Sequence, residues 1–258
     1  MNLFGAEAGV DIRTYQSKTS RWIVGAMGGY LATNDIRVRQ DNQYDGRGSA
    51  TSPNVGLYGT YWHTNGWFAD MVARYFWSTV KMRNVSAAGQ PISYDTNRDF
   101  ITASVEVGKR FLTMAPHWAQ MPSENGRSVI RLEPKVEIQY AHAGSDSLTT
   151  NFGDRIKYNP TNSLTTRLAM AAIYLPYNLD SKYKPFVEIG VSNEWLGKTN
   201  INFAGAPLTS NVGGAGFDIS AGLDINLSNQ TYFYGDVTYE VGSVYRAISG
   251  NIGIRYRF

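Results

Sequence analysis

The chain has 258 residues and a formal net charge of +3, with no block of like charges, so it carries no footprint for nucleic acid. Its mean hydropathy is −0.30, and no run of about 18 apolar residues exists, which excludes a transmembrane helix. The unusual figures are 17 Tyr, 6 Trp and 26 Gly beside no Cys at all. Aromatic girdles would use the Tyr and Trp, and tight strand packing and turns would use the Gly. An absence of Cys suits a chain that crosses an oxidising compartment unfolded, although many cytosolic chains share it.

The start, Met1-Asn2-Leu3-Phe4-Gly5, lacks the basic and apolar regions of a signal peptide. Side chains on a strand alternate between two faces, and alternation begins weakly near 4–15, 22–34 and 53–63. It becomes strong at 67–77, where Trp67, Ala69, Met71, Ala73, Tyr75 and Trp77 share one face and Asp70 and Arg74 the other. It returns at 100–111. At 130–140, Ile130, Leu132, Val136, Ile138 and Tyr140 oppose Arg131, Glu133, Lys135, Glu137 and Gln139. After 164–176 and 185–196, residues 217–227 set Phe217, Ile219, Ala221, Leu223, Ile225 and Leu227 against Asp218, Ser220, Asp224 and Asn226. Following 231–241, the closing stretch puts Ile248, Ile252, Ile254, Tyr256 and Phe258 on one face and Ser249, Asn251, Arg255 and Arg257 on the other.

These stretches reach about 10 residues, enough to cross a membrane at a tilt, whereas strands of soluble sheets are typically 5–6 residues. Short connections near 16–20, 64–66, 177–183 and 228–230 alternate with long polar ones near 35–52, 83–98, 143–163 and 197–215. Short inner turns and long outer loops of an outer-membrane barrel do this. Two connections break the rule: 113–127, with Pro116, His117, Trp118 and Pro122, is long, and 242–246 is short. The reading is an all-β transmembrane antiparallel barrel forming one domain over 1–258. A soluble β-sandwich binder would instead bury the apolar faces of 67–77 and 217–227 in protein. About eleven strands are visible, while single-chain bacterial barrels use an even number. The expectation is that one strand and a leader lie upstream of Met1.

Several segments resemble the C-terminal barrel of autotransporters, the type V secretion translocators. They are Pro53-Asn54-Val55-Gly56-Leu57-Tyr58-Gly59-Thr60-Tyr61-Trp62, Gly66-Trp67-Phe68-Ala69-Asp70, Glu133-Pro134-Lys135-Val136-Glu137, Pro185-Phe186-Val187-Glu188 and Gly253-Ile254-Arg255-Tyr256-Arg257-Phe258. The ordered set covers essentially the whole chain and is most similar to the adhesin-type group. The resemblance implies a twelve-stranded barrel in the outer membrane of a Gram-negative bacterium, carrying an N-terminal passenger outward. It implies as partners the outer-membrane lipids, the barrel assembly machinery and the chain's own passenger, with the barrel a monomer and no cofactor. The family has a pore helix followed by a first strand; this sequence starts at what resembles the second strand. The last strand, with Tyr256 and Phe258, is the expected assembly signal.

In the family's self-cleaving members, lumenal acids promote attack of an Asn on its own backbone. The matching positions are Asp70, Glu106 and Glu137, all on polar faces and hence in the lumen. The plainer reading pairs them with Arg74, Arg110, Arg131 and Lys135 in cross-strand ion ladders. His142 near Asp146 at the outer rim invites comparison with an acid–His pair, while His63 and His117 fall toward the other side, so no metal cluster is expected. No multiple-turnover enzyme is expected. The alternative function is a stand-alone outer-membrane barrel acting as an adhesin or rim-site enzyme through its loops. A long passenger upstream favours export; a signal peptide directly before residue 1 favours the alternative.

Overall fold

The computed structural model describes all residues except 1, 41–42, 88–89, 117–127, 177–181, 229 and 257–258. Eleven strands run as one antiparallel meander: β1 (Phe4–Gln16), β2 (Ser20–Gln40), β3 (Gln43–His63), β4 (Trp67–Ala87), β5 (Gln90–Lys109), β7 (Val129–Ala143), β10 (Thr161–Leu175), β11 (Tyr183–Glu194), β14 (Gly214–Asn226), β15 (Thr231–Gly242) and β16 (Arg246–Tyr256). A short β6 (Phe111–Met114) resumes β5 past Arg110, and both pair with β7. This is the all-β antiparallel fold the alternation requires.

Its faces are inverted relative to a soluble protein. Leu57, Ile138, Val191 and Phe217 point outward and are exposed. On the edge strand β16, Ile248 is 76% exposed, Ile252 83% and Ile254 71%, continuing the outward apolar face to the end of the sheet. On β4 the outward face is bracketed by Trp67 and Trp77, ten residues apart, the length of one membrane crossing. The turn that leads into Trp67 uses Gly66, whose φ is +95° and whose N–H donates to the His63 carbonyl at 3.0 Å.

The segments 35–52 and 83–98, expected as long polar loops, are instead the upper halves of β2–β3 and β4–β5, each of whose strands runs 20 or 21 residues. Here the polarity reverses: Lys81 and Arg83 are exposed on the outward face while Met82, Ile92 and Thr96 are buried on the other, so the apolar-outward pattern ends while the ladder continues. The other two long connections contain strands as well: β8 (Asp146–Thr149), β9 (Arg155–Tyr158), β12 (Lys198–Phe203) and β13 (Ala206–Asn211) form a second sheet in the order β13-β12-β9-β8. It is fastened to β5 by Asn151, which donates from its N–H to the Ser93 carbonyl at 3.2 Å and accepts from the Ser93 N–H at 2.9 Å. Arg98 donates to the Gly144 and Asn159 carbonyls, both at 2.9 Å, and its guanidinium lies 5.5 Å from the Tyr158 ring centre. Met82, Ile92, Leu148 and Ile156 are buried. The short connection at 242–246 is present as a tight turn between β15 and β16, with the Gly242 N–H on the Tyr245 carbonyl at 3.0 Å. Most of 113–127 lies outside the described residues, as do His117 and Phe258.

The two ends of the sheet, β1 and β16, face one another across a seam. Among the described residues no ladder joins them. Arg255 reaches over the lumenal side to Asp11 at 2.7 Å. Tyr58 crosses β2 to donate to the other Asp11 oxygen at 2.5 Å. It can do so because Gly25 lies between them: a Cβ there would stand 2.1 Å from the Tyr58 ring.

Candidate functional site in the lumen

The polar faces meet inside, and register decides which charge meets which. Thr60 on β3 is opposite Asp70 on β4, Asp70 is opposite Glu106 on β5, Glu106 is opposite Glu137 on β7, and Glu137 is opposite Arg167 on β10. Directly opposed side chains bring their Cβ atoms within about 4.5–5.5 Å. The three acids singled out from the sequence therefore form one continuous row across three adjacent strands.

Their partners differ. Asp70 accepts from the Thr60 hydroxyl at 2.6 Å and makes no ion pair among the described residues. Glu106 binds Lys135 at 3.0 Å. Glu137 accepts from Gln139 at 2.6 Å and lies 3.9 Å from the Arg167 guanidinium. Lys135 also holds Glu188 at 2.9 Å. Arg167 binds Glu188 at 2.6 Å and Asp218 through Nε at 2.9 Å. Two cations thus serve four carboxylates, and Asp70 adds a fifth at the row's end. The mid-lumen wall is an acid-rich lattice whose side chains are mostly buried: those of Lys135, Glu188, Arg167 and Asp218 are all under 20% exposed. Such a surface, with five carboxylates to two cations, is net negative and favours cationic segments.

Backbone shape makes room for it. At Gly190, opposite Asp218, a Cβ would stand 2.6 Å from Asp218 Oδ1 and 2.7 Å from Arg167 Nε. The missing side chain is the space the Arg167–Asp218 pair occupies. Above the lattice the wall recedes into a cleft of about 290 Å³ lined by Gln139, Glu194, Gly214, Gly216, Glu240 and Tyr245.

The ladders expected for Arg74, Arg110 and Arg131 form elsewhere. Arg74 pairs with Glu7 at 3.0 Å, while Arg110 and Arg131 converge on Glu133 at 2.9 and 2.7 Å. Only Lys135 of the four cations named from the sequence meets one of the three acids. Arg167, Glu188 and Asp218, the centre of the lattice, were not singled out; their position on the polar faces of 164–176, 185–196 and 217–227 was the available signal. The rim His does not pair with an acid: His142 Nδ1 lies 2.8 Å from Asn162 Oδ1, and Asp146 accepts from Thr96 and from the Ser147 N–H. Among the described residues no cluster of three metal-ligating side chains exists.

A family model described as "Autotransporter beta-domain" matches residues 1–238. The chain is 22% identical over 213 residues to a probable autotransporter YcgV of Escherichia coli K12, covering 83% of this chain and 21% of that protein. It is 22% identical over 238 residues to the autotransporter adhesin/invasin TibA of Escherichia coli O78:H11, covering 90% of this chain and 22% of that one. The chain therefore spans about a fifth of the length of these relatives. In structure it is similar to the transport unit of the autotransporter AIDA-I from Escherichia coli, with a TM-score of 0.82 at 20% identity over 99% of this chain and 82% of that one. The β domain of the Bordetella autotransporter BrkA gives a TM-score of 0.74 at 20% identity over 99% of this chain and 91% of that one.

Proposed function

Because the chain belongs to the autotransporter β-domain family, we propose that it is a translocator: a barrel in the outer membrane that supports export of an N-terminal passenger through or with its lumen. The observation that carries this is the inversion of faces, apolar outward and acid-rich inward, on strands that Trp67 and Trp77 bracket at membrane thickness. Its partners are then the surrounding lipids, the passenger, and an assembly machinery that reads the final strand, where Tyr256 stands on the outward face. The test is surface delivery. An epitope placed upstream of residue 1 in the native gene becomes sensitive to protease added to intact cells; an epitope retained inside contradicts the reading.

The row Asp70–Glu106–Glu137 supports a finer proposal, a single-turnover cleavage within the barrel. The side-chain amide nitrogen of an Asn in the threaded segment attacks its own main-chain carbonyl carbon. A cyclic imide forms, the peptide C–N bond breaks, and the departing amine gains the proton that the amide nitrogen loses. A carboxylate of the row takes that proton and a neighbouring protonated acid gives one to the leaving amine. Asp70→Asn, which keeps shape and hydrogen-bonding capacity, then leaves passenger and barrel as one polypeptide on denaturing gels. Unchanged cleavage in Asp70→Asn, Glu106→Gln and Glu137→Gln together rules the row out. Beyond that event the barrel is not an enzyme.

A further inference from the structure

Above the outer girdle the outward face changes character. Arg37 on β2 is opposite Arg47 on β3, and Arg47 is opposite Arg83 on β4, so three guanidiniums occupy one register row across three strands. Lys81 shares that face two residues below Arg83, and all four are exposed. Like charges placed directly opposite on a sheet repel. Asp35 takes Arg37 at 2.5 Å and Asp95 takes Arg83 at 2.5 Å. Asp99, lower on β5, is engaged by the Tyr75 hydroxyl at 2.6 Å. Arg47, in the centre, has no ion pair among the described residues. The row is thus positive at its middle and points the same way as the lipid-facing Tyr75 and Trp77.

Height identifies what lies beside it. Lys81 and Arg83 follow Trp77 by four and six residues, which at strand rise and barrel tilt is roughly 10–15 Å along the membrane normal. A simple phospholipid headgroup layer extends only about 5–8 Å beyond the hydrocarbon. Resting on the outer-membrane placement proposed above, we infer that the Arg37–Arg47–Arg83 row with Lys81 binds an outer-leaflet glycolipid whose phosphates are carried on sugars. Arginine suits this partner, because its planar fork takes two phosphate oxygens at once. The site anchors the β2–β5 extension laterally against the lipid surface and balances the repulsion within the row.

The test uses the full chain in phosphatidylcholine nanodiscs, with a bis-phosphorylated, sugar-linked lipid A preparation as probe and native mass spectrometry as readout. The unaltered protein retains the probe. Arg47→Glu weakens retention about 25-fold, since one cation near a charged membrane surface accounts for about fivefold and reversing its sign doubles the free-energy change. Arg47→Lys restores most of it, and Asp95→Asn, which releases Arg83, tightens it about threefold. Equal retention by Arg47→Glu, or by probe stripped of its phosphates, overturns the proposal. Displacement by inorganic phosphate at low millimolar concentration overturns the lipid assignment in favour of a free-phosphate site. Heat-modifiable migration is read in parallel: its loss in the unaltered protein refutes the barrel itself, whereas its persistence with unchanged binding in Arg47→Glu refutes only the glycolipid site.

Discussion

Two walls of one sheet are held by different means. From β5 to β14 the lumenal side is a lattice in which Glu106, Lys135, Glu188, Arg167 and Asp218 are linked pair to pair, with side chains mostly shielded from water. At the seam between β16 and β1, the ion pair among the described residues is Arg255–Asp11, whose side chains are 45% and 36% exposed. Both walls obey the same alternation and differ only in how completely charge is enclosed. Enclosed charge is costly to leave unpaired, and exposed charge is not. The lattice therefore fixes the shape of one wall, while the seam is the place where the sheet can open.

The largest effect expected from this contrast is Arg167→Ala. It leaves Asp218 and Glu137 without their guanidinium partner and Glu188 held by Lys135 alone, and destabilises the barrel by about 3–5 kcal/mol, seen as a lower urea midpoint for loss of heat-modifiable migration. Gly190→Ala is next. Its new Cβ intrudes on the Arg167–Asp218 pair from 2.6 Å and costs about 1–3 kcal/mol by the same assay. Arg255→Ala is the smallest, about 0–1 kcal/mol, because the pair it removes is screened by water. A ranking in which Arg255→Ala exceeds Arg167→Ala inverts the comparison. For the contrast within the acid row, Glu106→Gln relaxes Lys135 onto Glu188 alone, whereas Asp70→Asn removes no ion pair. The first therefore shifts the urea midpoint and the second leaves it within error.

How far these walls are legible beforehand depends on what surrounds each residue. Along 130–140, lipid on one side and lumen on the other impose strict alternation, so the two faces of β7 can be read from the residues alone. On β4 above Trp77 the pattern reverses, with Lys81 and Arg83 exposed and Met82 buried beneath the second sheet, so apolar-outward alternation no longer announces a ladder. That is why 35–52 and 83–98 read as loops. Asp70, Glu106 and Glu137 can be placed in the lumen because alternation sends them there, but partners depend on register. Register puts Glu106 opposite Glu137, with Lys135 one step along, and leaves Asp70 with a hydroxyl. Arg167 escapes notice because an arginine on a weakly alternating strand looks like solvated surface until Gly190 and Asp218 are placed beside it.

The central claim, that the acid row lies inside a barrel whose other face is in lipid, can be tested on two adjacent residues of β7. The natural chain has no cysteine, so Glu137→Cys and Ile138→Cys each introduce the only thiol. In barrels reconstituted into lipid vesicles, a charged water-soluble maleimide is predicted to label residue 137 and to spare residue 138, while a lipid-soluble nitroxide quenches a fluorophore at 138 and not at 137. Labelling of 138 by the charged reagent, with protection of 137, would contradict the account.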